Sequence, residues 1–228
     1  IVESARAEAT GYSFPSGHTQ NAVGTFGGIA RATKRHCLRW VCVVIFVLVS
    51  FSRMYLGVHT PLDVGVSFVI AAVLVFAIYP LMRRADRYPR LMAGLLASMV
   101  LLSAAYLTFT LVYPFPPDID STNLASGVEN GWKLLGATLG IALAWWLDRQ
   151  YVRFETKAVW WVQAIKFIVG LALVVALKAG LKAPLIALFG GSAGPAGAVR
   201  YFLVVLAAGV LWPMAFRPLS RLGQRGEG

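Results

Sequence analysis

Seven stretches of this chain run nearly free of charge, and between them the sequence turns abruptly polar. They lie near Thr19–Ala32, Leu38–Phe51, Leu62–Met82, Leu91–Tyr113, Gly131–Leu147, Ala158–Leu177 and Tyr201–Phe216. A helix crosses a bilayer with about 20 apolar residues, and several of these runs reach that length. The third and fourth are the clearest; the third carries a single charge, Asp63, at its very start. The first is short, and its glycines Gly24, Gly27 and Gly28 are the kind that let helices pack closely. The pattern predicts an all-α, polytopic membrane helix bundle of about seven spans. Composition agrees: 58% of the residues are hydrophobic, against about 45–50% in ordinary soluble domains, and the mean hydropathy is +0.68.

Charge adds an orientation. The net charge of +11 invites a nucleic-acid reading, but its distribution excludes one. Arg31, Lys34, Arg35 and Arg39 fall between spans one and two. Arg83, Arg84, Arg87 and Arg90 fall between three and four, and Arg149, Arg153 and Lys157 between five and six. Arg217, Arg221 and Arg225 follow span seven. These are 14 of the 21 basic residues, all in alternate connections. Lys and Arg accumulate in cytoplasmic loops, so that side is cytoplasmic, with anionic lipid heads as further contacts. The opposite connections differ in kind. Residues 114–130 carry Asp118, Asp120 and Glu129 without a Lys or Arg, and "GGSAGPAG" at 190–197 reads as a flexible loop. Cys37 and Cys42, near the cytoplasmic end of span two, read as buried free thiols. No zinc-ligand spacing, Walker loop or dinucleotide fingerprint occurs.

Two polar turns on the outer side carry the chemistry. "SFPSGHTQNA" occupies residues 13–22 and "SRMYLGVHTPLDV" residues 52–64, and together they hold two of the three histidines. Thr60 followed by Pro61 is a helix start, with Thr at the N-cap and Pro at the first position. Asp63 then stands where an acid favours a helix N-terminus. It also follows His59 by four residues, a spacing at which its carboxylate can orient the imidazole and leave the other ring nitrogen nucleophilic. Arg53 reads either as a snorkelling cation or as a phosphate clamp, and Gly57 permits an unusual turn. In the first turn Ser16 is a candidate N-cap, and the exposed amides around Gly17 make an anion site at a helix N-terminus. His18 beside that site is placed to protonate a leaving oxygen.

"PSGH" at Pro15–His18 and Ser52, Arg53, Gly57, His59 and Asp63 at their spacing resemble the second and third signature motifs of the type-2 phosphatidic acid phosphatase family. That superfamily also holds undecaprenyl-pyrophosphate phosphatases and the soluble vanadium haloperoxidases, whose solubility this chain does not share. The resemblance covers residues from about 12 to 82. It implies that His59 is a nucleophile forming a phosphohistidine, that Asp63 orients it, and that His18 is general acid and then base. Ser16, Gly17 and Arg53 would hold phosphate oxygens. It implies no metal and no organic cofactor. The implied partners are a lipid phosphate substrate and the surrounding membrane lipids, with no nucleic acid.

The family's first motif, a Lys and an Arg-Pro, is missing before Pro15, where Arg6 is the one basic residue. This sequence is therefore expected to be catalytically incomplete, either as an N-terminally truncated piece, the favoured reading, or as a chain that has lost half its phosphate clamp. Residues 1–82 form the expected phosphatase-like core and residues 83–228 additional transmembrane helices. Expected substrates are undecaprenyl pyrophosphate, phosphatidic acid or phosphatidylglycerol phosphate, met at the outer face of a bacterial inner membrane. The alternative from another class is a non-catalytic lipid or small-molecule transporter. Lys166, in the middle of span six, fits either its pathway or a salt-bridged helix contact. The charge pattern predicts that residues 33–39, 83–90 and 148–157 face the cytoplasm. A cysteine placed at Ser126 is expected to react with an impermeant label in intact cells; reaction only after permeabilisation would reverse the orientation.

Overall fold

The apolar runs fold as helices in a computed structural model, which describes residues 14–85 and 87–222. The expectations that rest on Arg6 and Arg225 lie outside these residues. Among the described residues every regular element is helical. In order they are α1 (Gly17–Ala32), α2 (His36–Tyr55), α3 (Pro61–Ala85), α4 (Pro89–Val112) and α5 (Ser121–Leu147). After them come α6 (Trp160–Gly180), α7 (Lys182–Leu188), α8 (Ala193–Leu206), α9 (Trp212–Met214) and α10 (Phe216–Leu222), with π-helical turns at Asp148–Val152 and Ala207–Leu211. Five segments are long and apolar enough to cross a membrane: α2, α3, α4, Trp160–Leu188 and Ala193–Met214. The chain is an integral membrane protein. Two of the seven expected spans are helical but fall outside that set. Helix α1 has 16 residues, about 24 Å at 1.5 Å per residue, short of the roughly 30 Å hydrocarbon core. Helix α5 is long, but its first half carries Thr122, Asn123, Glu129, Asn130 and Lys133.

The two connections expected on the outer side are shorter than the sequence suggests. Residues 121–130 begin α5, because Asp120 Oδ1 accepts the amides of Thr122 at 2.8 Å and Asn123 at 3.1 Å and so caps the helix. Residues 193–197 likewise belong to α8, where Pro195 sits in the first turn and sacrifices no helical hydrogen bond.

The chain divides into two compact units, residues 1–92 with 120–123, and residues 93–119 with 124–228. In the first, α1 packs on both α2 and α3. Three residues, 33–35, join α1 to α2, which forces the pair antiparallel. Arg39 fastens this hairpin, its Nε donating to the Ala30 carbonyl at 3.2 Å and its Nη2 to that of Thr33 at 3.0 Å. It thereby satisfies C-terminal carbonyls of α1 that have no helical partner. Ala22, Val23 and Ala30 of α1 and Val64, Ser67 and Ala71 of α3 are buried. Gly24 and Gly28 do not serve close packing as expected; both face open space and line a groove of about 490 Å³ between α1 and α3. Cys42 is buried, but Cys37 is exposed at the start of α2, and both are free thiols.

In the second unit glycines do bring helices together. A side chain at Gly136 would run into the Ala198 backbone of α8, and one at Gly140 would meet Val205 at 3.0 Å. Ser103 and Thr138 share a buried hydroxyl bond of 2.9 Å between α4 and α5. Lys166 is buried, and its ammonium donates to Ser220 Oγ at 2.9 Å and lies 4.6 Å from the Phe216 ring centroid. The intramembrane lysine is thus a helix contact, made to a hydroxyl and a ring rather than to a carboxylate. Trp212 Nε1 donates to the Lys166 carbonyl at 2.9 Å, in the space that Gly170 leaves. Because the obstacle at Gly136 is backbone, Gly136→Ala is expected to cost about 1–3 kcal/mol. Gly24→Ala, into open space, is expected to leave the melting temperature unchanged or raise it. Thermal unfolding of the two variants in the same detergent checks the contrast.

Candidate active site

Residues 52–63 form one corner built from two helix caps in succession. Helix α2 ends in a Schellman motif. The Gly57 amide donates to the Met54 carbonyl at 2.9 Å and the Val58 amide to that of Arg53 at 3.3 Å, while Gly57 takes φ +69°. An L side chain is disfavoured in that left-handed conformation, which is why glycine stands there. Helix α3 begins three residues later with a capping box. Thr60 Oγ1 accepts the Asp63 amide at 3.2 Å, and Asp63 Oδ2 accepts the Thr60 amide at 2.8 Å. These are the reciprocal bonds of an N-cap and its third helical position.

Between the caps stands His59. Its Nδ1 lies 3.9 Å from Asp63 Oδ2, with both side chains mostly buried. That atom has no hydrogen-bond partner. The capping reading of Asp63 is thus realised, and its carboxylate lies beside the imidazole without a hydrogen bond to it. The half-buried Arg53 occupies the last turn of α2, its Nε 3.4 Å from Ser52 Oγ. With Nδ1 turned to Asp63, Nε2 is the ring atom left for other chemistry.

The "PSGH" turn opens α1. Antiparallel connections place the α1 N-terminus, the α2 C-terminus and the α3 N-terminus at the same end of the first unit. Gly17 and His18 are exposed there. Ser16 differs from expectation. It occupies the N-cap position, but its side chain makes no capping bond. It is fully buried, and its Oγ accepts from Thr19 Oγ1 at 3.1 Å. The local sequence permitted either bond, and the one formed is to the Thr19 hydroxyl one turn along.

Two residues near this end carried no sequence signal of their own. Thr19 is fully buried as the partner of Ser16. Ser67, one turn after Asp63 on the same face of α3, is fully buried with Oγ unpartnered. Its four-residue spacing from Asp63 was the available clue. Among the described residues no group of three His, Cys, Asp or Glu side chains is placed to hold a metal ion.

Comparison with known proteins places this corner in a family. Residues 2–87 match the profile described as PAP2 superfamily, and residues 132–225 match that of the PAP2 superfamily phosphatase, transmembrane extension. The chain belongs to the PAP2 superfamily. The first PAP2 match contains the whole of α1–α3, and the second covers most of α5 through α10. The chain is also similar to the undecaprenyl-diphosphatase BcrC of Bacillus subtilis (strain 168), with 36% identity over 67 residues. That stretch is 29% of this chain and 34% of the relative, so the match spans about a third of the curated protein's length. No solved structure matches the chain.

The Schellman geometry makes Gly57 the residue on which the PAP2 corner turns. Gly57→Ala is expected to destabilise the protein by about 1–2 kcal/mol, the cost of a Cβ in the left-handed region. Gly57→Asn is expected to cost less. Denaturation of both variants in one detergent gives the order.

Proposed function

We propose that this protein is an integral membrane phosphatase that hydrolyses a lipid phosphate or pyrophosphate through a phosphohistidine on His59. The observation that carries the reading is the Nδ1 of His59 facing the Asp63 carboxylate, at the end of the unit shared by Arg53 and the PSGH turn. His59 Nε2 attacks phosphorus, the bond from phosphorus to the leaving oxygen breaks, and His18 gives that oxygen its proton. Water then attacks the phosphohistidine, His18 takes the water's proton, and inorganic phosphate leaves. Asp63 stabilises the imidazole through Nδ1. Arg53 and the Gly17 amide hold the equatorial oxygens, the groups on which phosphoryl transfer most depends. Ser16 is fully buried, with its Oγ accepting from Thr19, so it would reach the same phosphate only after its side chain turned outward.

In this reading residues 1–82 carry the chemistry, and the helices from residue 83 onward are further transmembrane structure. The similarity to the Bacillus undecaprenyl-diphosphatase favours undecaprenyl pyrophosphate over phosphatidic acid or phosphatidylglycerol phosphate. The basic cytoplasmic loops favour a site on the outer face of a bacterial inner membrane. The transporter alternative loses its main support, because Lys166 is engaged by Ser220 and Phe216 instead of lining a path.

In the full-length protein His59→Ala is expected to abolish turnover of a lipid phosphate, and Asp63→Asn to lower it by orders of magnitude. His18→Ala should spare a p-nitrophenyl ester more than an alkyl ester, since p-nitrophenolate leaves without a proton. Phosphate release, with trapping of the phosphohistidine at alkaline pH, measures all three. Wild-type hydrolysis by His59→Ala would remove the nucleophile assignment.

A further inference from the structure

The phosphatase reading gives work to His59 and Asp63 but leaves open what fixes the carboxylate. An N-cap needs one bond, from a side-chain oxygen to an amide in the first turn. Here the bonding is reciprocal, and the return bond places Asp63 Oδ2 2.8 Å from the Thr60 amide. That same oxygen is the one 3.9 Å from His59 Nδ1. The box that starts α3 therefore sets the carboxylate atom the imidazole needs.

We propose that Thr60 is a positioning residue for the hydrolysis, holding Asp63 through the capping box so that Oδ2 stands ready for the Nδ1–H of His59. The inference rests on the phosphatase reading above. Thr60 touches neither the imidazole nor the phosphate in this scheme; it acts through Asp63. A carboxylate oxygen accepts two hydrogen bonds, so Oδ2 can keep the Thr60 amide and still receive Nδ1–H. The present 3.9 Å exceeds a hydrogen bond by about 1 Å. A modest turn of the His59 ring as Nε2 approaches phosphorus closes that gap while the box keeps Oδ2 in place. Without the Thr60 hydroxyl the Asp63 amide loses its acceptor, the first turn of α3 loosens, and the backbone bond from the Thr60 amide to Oδ2 no longer holds the carboxylate at one angle to Nδ1. Misorientation of this kind lowers the chemical step and leaves substrate binding alone.

The test compares Thr60→Val, Thr60→Ser and Thr60→Gly in the full-length protein, with kcat and KM measured on a short-chain lipid phosphate well below the melting temperature. Thr60→Val is expected to lower kcat about five- to tenfold with KM unchanged, and Thr60→Ser to restore it. Thr60→Gly, which caps a helix nearly as well as Thr, is expected to keep the melting temperature and lose kcat, and it serves also if Thr60→Val fails to fold. A purely structural cap would give the reverse: Thr60→Gly at wild-type kcat overturns the inference, as does Thr60→Ser as slow as Thr60→Val. His59→Ala is run alongside. If it still turns over, the phosphatase reading itself fails. If it is inactive while the Thr60 variants match wild type, the role of Thr60 alone is refuted.

Discussion

The hydrogen bonds that close α2 and open α3 are the constraint on which the first unit depends. At a helix end four amides or four carbonyls lack a helical partner, and near a bilayer few waters are at hand to supply one. The corner at residues 56–60 meets the requirement with Gly57 in a left-handed turn on one side and Thr60 with Asp63 on the other. His59 is carried between two satisfied caps, so its backbone has little freedom to move. The residues that would recognise and attack a phosphate are, in backbone terms, the residues that end one helix and start the next.

The rest of the molecule is held by devices suited to a medium in which apolar contact between helices gains little over contact with lipid. Arg39 ties α2 to the end of α1 through two carbonyls. In the second unit Gly136 and Gly140 let α5 approach α8, a hydroxyl pair joins α4 to α5, and Lys166 finds a hydroxyl and an aromatic ring. Each is a short-range packing or polar contact. The exposed apolar faces of α2, α3 and α4 suit the lipid around them.

In the proposed reaction Asp63 would serve stability and chemistry with one carboxylate. Its carboxylate stabilises a helix start both through the local bond and by lying at the positive end of the helix dipole. The same position places it four residues after His59, facing Nδ1. A change that removes the charge acts on both at once, which is why variants of Thr60 and Gly57, affecting the corner by different routes, separate the two contributions better than variants of Asp63 alone.

The sequence by itself determined the all-helical membrane class, the approximate places of most of the helices, and the placement of the two polar turns at one end of the first unit. These follow from apolar run length, from short connections that force antiparallel neighbours, and from cap residues whose hydrogen bonds are local. Gly57, Thr60 and Asp63 were legible for that reason: their partners lie within a few residues. Tertiary structure decided the matters that depend on distant neighbours. It buried Ser16, left Gly24 and Gly28 on an open groove, and gave Lys166 a hydroxyl 54 residues away. A side chain's choice between two possible partners, or between contact and open space, is set by which helix face packs against which. Periodicity along a uniformly apolar chain carries almost no record of that.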